Sequence, residues 1–223
     1  MAIISLTTIP DRIARIKPTI ESLVAQGLPV HLWAVEKIAR SPTVLREIPA
    51  FLTTLGVRVT VVPDRGPITK LLPALATEHD PIILADDDLI YGAGWAAGLL
   101  NWAAQIPGAA LGYCGRQFDV RDYGKCQRRR WHQISAPCSA DVLMAWAGAL
   151  YYRDFFAADT WDACPTNDDI MIAAHLKRRN VPMYVVPGSF AIKKTKLCIV
   201  HSLASQNQRN GHQLNNECMH RLL

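Results

Sequence analysis

The amino-acid sequence predicts a single α/β domain built on a mostly parallel central sheet flanked by helices. Two observations lead there: short apolar runs without polar alternation recur along the chain, and helix-like stretches separate them. Size is the third, since 223 residues, half of them hydrophobic, suffice for one substantial core.

The elements follow in order. Ile3-Ile4-Ser5-Leu6 reads as a first buried strand. Thr7 to Arg12 is the loop into a helix whose one face carries Ile13, Ile16, Ile20, Leu23 and Val24, with Gly27 closing it. Val30 to Val35 is the second strand, Thr43 to Leu55 a helical region broken or started by Pro49, and Val57 to Val62 a third, Val-rich strand. Thr69 to Glu78 is expected as a short helix, the apolar run that follows Pro81, Ile82-Ile83-Leu84-Ala85, as a strand ending at the aspartates, and Trp95 to Gln105 as a helix with Trp95, Leu99 and Trp102 at helical spacing. Beyond Gly108 the pattern loosens. Ala109 to Tyr113 is a strand, Arg116 to Ser139 a long polar, basic and aromatic loop, and Met144 to Tyr152 an apolar segment. Asn167 to Arg179 is an amphipathic helix, Val181 to Val186 a closing strand, and Lys193 to Leu223 a polar tail.

A net charge of +5 suits a phosphate-bearing substrate or an anionic membrane surface and does not require nucleic acid. The start of the chain lacks a basic n-region followed by a full apolar h-region, and no run reaches transmembrane length, so a cytoplasmic location is expected. Cys114, Cys126, Cys138, Cys164, Cys198 and Cys218 are widely spread with no C-x-x-C pair, and we expect mostly reduced packing residues.

Chemistry concentrates where the fourth apolar run ends in Asp86-Asp87-Asp88. Such a triplet can be a turn or a helix cap. At the carboxyl end of a buried strand it also faces the ligand crevice of an open sheet, where hard oxygen donors suit Mg²⁺ or Mn²⁺ and the metal completes its shell with phosphate oxygens. Asn167-Asp168-Asp169 opens a helix; capping explains those acids alone, and a general base explains them beside the first cluster. Lys125, Arg128, Arg129, Arg130, Trp131 and His132 form the densest basic-aromatic cluster, either a solvated loop or a contact for phosphate, anionic lipid or a stacked sugar.

In Ser5 to Arg12, Gly66 to Leu71, Leu84 to Tyr91, Ala147 to Tyr151, Asp168-Asp169 and Val200-His201-Ser202, the chain resembles the GT-A (Rossmann-like) glycosyltransferases, especially small family-two-like members with a D-x-D motif. The motifs span most of the chain in the family's order. The resemblance implies one domain over 1–223, with a nucleotide-binding half at 1–107 and an acceptor half plus tail at 108–223. It implies Asp88, Asp86 and His201 as ligands of Mn²⁺ or Mg²⁺, and Asp86 and Asp87 beside the nucleotide sugar. Thr7, Pro10 and Arg12 would line the nucleotide pocket and Lys70 would approach a phosphate or the acceptor, although Arg12 and Lys70 read equally well as surface charges. Asp169 matches the base of inverting members; Asp168 replaces their Glu and leaves open which of the two meets the acceptor.

The expected function is therefore metal-dependent transfer of a sugar from a nucleotide diphosphate sugar, UDP-linked, to a hydroxyl of a saccharide or lipid-linked acceptor, with inversion. Peripheral membrane contact is compatible with it, and no nucleic acid is expected. The alternatives are a metal-dependent nucleotidyltransferase or phosphohydrolase, which also clusters aspartates but for which no Walker-type loop is present, and a basic nucleic-acid-binding module, which leaves the acids unexplained.

Overall fold

The computed structural model describes residues 1–118, 122–156, 161, 164, 167–199 and 203–223, the side chains of 198, 199, 204 and 206 excepted. The strands are β1 (Ile3–Thr8), β2 (Val30–Val35), β3 (Arg58–Val62), β4 (Ile82–Leu84), β5 (Leu89–Tyr91), β6 (Ala110–Gly112), β7 (Cys114–Gln117), β8 (Gln127–Arg130), β9 (Cys138–Ser139), β10 (Val142–Leu143), β11 (Ala149–Tyr151), β12 (Met183–Val185) and β13 (Ile192–Lys194). The helices are α1 (Pro10–Ile13), α2 (Lys17–Val24), α3 (Ala50–Thr54), α4 (Trp95–Gln105), α5 (Asp168–Arg178), α6 (Leu203–Arg209) and α7 (Gln213–Leu222).

Eight strands form one sheet in the order β3-β2-β1-β4-β11-β6-β12-β9. The sheet is mixed, which refines the expected mostly parallel one. β3, β2, β1 and β4 run parallel, whereas β11 lies antiparallel between β4 and β6, and β9 antiparallel beside β12. The strands are apolar on both sides because both faces are covered. Ile4, Leu6, Ile83 and Ala85 pack with Ile16, Ile20, Trp95 and Leu99 of α2, α4 and the turn before α2. Ile3, Ile82 and Leu84, one residue out of phase, pack with Ile170, Ile172 and Leu176 of α5 and Met219 of α7. Fully burying each such side chain stabilises the fold by roughly 1.5–3 kcal/mol.

Trp95, wholly buried, donates from its indole Nε1 to the Ala147 carbonyl at 2.7 Å. Gly148 beside it has φ +107°, and a Cβ there would lie 2.5 Å from the same Nε1, so only glycine fits. This contact locks the loop before β11 against α4.

Several expectations are corrected. The single helix from Ile13 to Val24 is two, because Pro18 is accommodated in the first turn of α2 and not in a helix interior. The region from Thr43 to Leu55 is helical only over α3, with Pro49 at its N-cap position. Thr69 to Glu78 forms two 3₁₀ turns, Ile68–Lys70 and Ala74–Ala76, separated by Pro73. The loop expected from Arg116 to Ser139 contains the antiparallel hairpin β7–β8; its exposed strand Gln-Arg-Arg-Arg has no apolar alternation to betray it. The polar tail holds α6 and α7, and α7 packs on α5. There Cys164 and Cys218, 54 residues apart, form a disulfide, correcting the reading of reduced cysteines for that pair; Cys114 and Cys138 are free. A disulfide is rare in a reducing cytosol, which weighs against the cytoplasmic expectation. No helix among the described residues is long and apolar enough to cross a membrane.

Candidate active site

β1 and β4 are parallel neighbours, and the chain leaves β1 toward β2 on one side but returns to β4 on the other. Their carboxyl ends thus form the topological switch point of the sheet, where open α/β sheets leave a crevice. A cavity of about 520 Å³ opens there. It is lined by Thr7, Arg12, Lys70 and the triplet from one half of the chain, and by Asp168 and Asp169 from the other. Pro10 is not among the lining residues; it opens α1, the turn that carries Arg12. His201 lies outside the described residues.

The three adjacent aspartates have three different surroundings. Asp87 is buried and turned into the protein, accepting from Thr8 Oγ1 at 2.6 Å and from an Arg12 Nη at 2.6 Å. Register explains the first bond: Ser5 pairs with Leu84, so Thr8 and Asp87 each lie three residues further along. Burial pushes the Asp87 carboxyl up, and Arg12 and Thr8 act against it. Burial likewise lowers the Arg12 guanidinium, but Asp87 and Asp88 outweigh it and the net shift is upward.

Asp86 is held by Lys70, whose Nζ lies 2.7 Å from its Oδ1. The same ammonium lies 3.1 Å from Asp168 Oδ2, an ion pair off the hydrogen-bond direction. Lys70, at 4% exposure, thereby bridges the two halves of the chain. Burial alone would lower it; Asp168 and then Asp86 reverse that and hold it well above its ordinary value.

Asp88 has the weakest compensation. Its carbonyl is clamped by the Thr195 N–H and hydroxyl, both at 2.9 Å, but its carboxylate has Arg12 only at 3.6 Å. Burial, then Asp86 and Asp87, push it up to about 7. A cation would relieve that repulsion. Asp88 and the Asp86 oxygen not taken by Lys70 are hard donors at a cavity wall, which fits Mg²⁺ or Mn²⁺ completed by phosphate and water. Among the described residues no three His, Cys, Asp or Glu gather into a fuller metal site.

Across the cavity, Asn167 caps α5, its side-chain oxygen accepting from the Ile170 N–H at 3.2 Å. Capping thus falls to Asn167, and the two acids of the first turn are left for other contacts. Asp168 meets Lys70. Asp169, half-buried, accepts from the Ala145 N–H at 3.0 Å. Burial and then Asp168 raise its carboxyl well above the usual range, against Lys70 and the Ala145 N–H. Ala145 belongs to the loop before β11, which the antiparallel pairing with β4 returns to the same sheet edge as the triplet.

Sequence reasoning missed part of this lining. Trp146, Arg116, Tyr123, His212 and Asn215 all face the cavity. Tyr91 links the two walls: its hydroxyl accepts from the Asp86 N–H at 2.8 Å and donates to the Trp146 carbonyl at 3.0 Å. Trp131, considered for sugar stacking, is instead buried, stacked on Phe190 with ring centroids 5.2 Å apart. The hairpin contributes Arg128 and Arg130 to the cavity. The run from Gln127 to Arg130 is uniformly polar and carries no alternation from which these two could be picked out.

No protein-family model matches the chain, and no curated protein matches it significantly.

Proposed function

We propose that the protein is a metal-dependent glycosyltransferase of GT-A type, moving a sugar from a UDP-linked donor to a hydroxyl of a saccharide or lipid-linked acceptor with inversion. The observation that carries this reading is that a weakly compensated acid, Asp88, and a carboxylate of raised basicity, Asp169, face one cavity from opposite walls. Asp86 and Asp88 would hold Mn²⁺ or Mg²⁺, joined by His201. The ion supplies charge neutralisation for the departing diphosphate. Asp169 accepts the proton of the attacking hydroxyl, the role its raised basicity suits, while Lys70 holds Asp168 in an ion pair. Trp146, half-buried in the lining, offers a ring face to a sugar. The oxidation state of Cys164 and Cys218 in cells decides the setting: reduced thiols would restore the cytoplasmic expectation, and a formed disulfide would place the chain in an oxidising compartment.

Thermal unfolding with UDP and Mn²⁺, against GDP, inorganic phosphate and an oligonucleotide, tests the reading. A ligand at a hundred times its Kd adds about 2.7 kcal/mol, so a selective, Mn²⁺-dependent rise with UDP is expected. Equal stabilisation by phosphate or by oligonucleotide would favour the hydrolase or nucleic-acid alternatives.

A further inference from the structure

In the β7–β8 hairpin Arg116 stands opposite Arg128, and Cys114 opposite Arg130. Directly opposed residues, and residues two apart on a strand, share a face. Arg116, Arg128 and Arg130 therefore crowd one face while Arg129 belongs to the other. The cavity is lined by the first three and not by Arg129. Like charges opposed across a strand pair destabilise it, so this face is costly unless something anionic meets it.

Nothing among the described residues does. None of the three arginines forms an ion pair with a carboxylate there. Arg116, 8% exposed, spends one nitrogen on the Tyr123 carbonyl at 2.7 Å and lays its guanidinium 4.2 Å over the Tyr123 ring; its Nε is buried without a hydrogen-bond partner. The Arg128 guanidinium is lowered first by burial and next by Arg130, with Arg116 adding to it, which is the same crowding seen electrostatically.

The arginine face belongs to the acceptor side of the cavity. Tyr123 joins it to the start of α5, its hydroxyl accepting from Asn167 Nδ2 at 3.2 Å, and Asp169 is two residues on. The opposite wall has its own provision for a donor diphosphate at Asp86 and Asp88.

We infer that Arg116, Arg128 and Arg130 form a subsite for a phosphate group carried by the acceptor. Guanidinium forks match phosphate oxygens, and three of them suit a doubly charged group better than a single carboxylate. Assignment to the acceptor rests on the proposed transferase reading; the phosphate subsite itself does not.

Calorimetry on the intact chain tests it, with glucose 1-phosphate, glucuronate and glucose as probes and with phosphatidylcholine vesicles with and without phosphatidic acid. Saturable binding of glucose 1-phosphate is expected, with none for glucose, and a loss of about tenfold or more in Arg128→Gln/Arg130→Gln. Arg129→Gln, on the other face of the same strand, should bind as the parent does. Binding only to vesicles containing phosphatidic acid, lost in the double variant, also supports the subsite and identifies a lipid-borne phosphate as its source. Glucuronate bound as tightly as glucose 1-phosphate, or no arginine-dependent binding of any probe, overturns it. UDP with Mn²⁺ is titrated into the same proteins: parallel loss of UDP in the double variant would reassign the arginines to the donor and overturn the inference. Absence of UDP binding in the parent, with glucose 1-phosphate still bound, would sink the transferase reading and leave the subsite standing.

Discussion

The two walls of the cavity use the same residue types to opposite ends. On the wall built by β1 and β4, aspartates and cations neutralise one another: Arg12 and Thr8 hold Asp87, and Lys70 holds Asp86. On the wall built by the β7–β8 hairpin and α5, and among the described residues, Arg128 and Arg130 have no carboxylate partner and Asp169 has a backbone N–H but no ion pair, Lys70 being spent on Asp86 and Asp168. A charged side chain compensated within the protein is part of the framework; one left uncompensated beside a cavity is disposed toward a ligand or a proton. Lys70 is the exception that joins the walls.

The largest expected effect breaks the second wall. Asp169→Asn keeps size and the hydrogen bond from Ala145 but removes basicity, so kcat for transfer should fall by roughly 10²–10⁴-fold while UDP affinity and the thermal midpoint stay near those of the parent. Full kcat in this variant, or retention of anomeric configuration by NMR of the product, would move the base to another group.

Next is the bridge. Lys70→Met leaves the buried Asp168 and the partly exposed Asp86 without their cation and should cost up to about 3–5 kcal/mol in urea unfolding. Adding Asp168→Asn removes one of the stranded charges and should recover part of the loss. If the single variant unfolds like the parent, the walls are not coupled through Lys70.

The triplet offers a sharper test, because neighbours should behave differently. Asp87→Asn should lower stability by about 1.5–3 kcal/mol, since one of the two short hydrogen bonds to the carboxylate and the charge paired with Arg12 are lost, with Mn²⁺-dependent UDP binding largely kept. Asp88→Asn should cost little stability and abolish the Mn²⁺ dependence of UDP binding. Identical behaviour of the two would mean that compensation does not separate framework from function.

The last effect concerns neither wall's ligand chemistry and calibrates the acid range. His31 is buried in the first wall's sheet, its Nε2 2.9 Å from Thr60 Oγ1; burial, then Arg58 and His79, lower it to about 4. Between its unfolded pKa of about 6.5 and the folded value, the unfolded chain binds a proton that the native state does not, so its contribution, up to about 3 kcal/mol, is complete above pH 6.5 and lost as pH falls toward 4. Asp88, raised to about 7, acts in the opposite sense over the same window. His31→Gln should therefore flatten or invert the acid slope of urea midpoints. An unchanged slope would place acid sensitivity elsewhere.

The buried strands were legible because local sequence carries them. Val30–Val35 and Trp95–Gln105 have the expected bounds, since an unbroken β-rich run and a helical stripe each reflect burial that repeats at short range. The clustering of Asp86–Asp88 at a strand end was equally visible. What the chain alone could not decide was pairing at distance. Which carboxylate meets Arg12, which meets Lys70 and which meets neither depends on the β1–β4 register and on α5 arriving beside them. The hairpin of Arg116, Arg128 and Arg130 and the joining of Cys164 to Cys218 belong to the same class. Residue type and spacing determine the faces of an element; charge compensation is set by residues brought within a few ångströms from far along the chain, and only the tertiary structure supplies that.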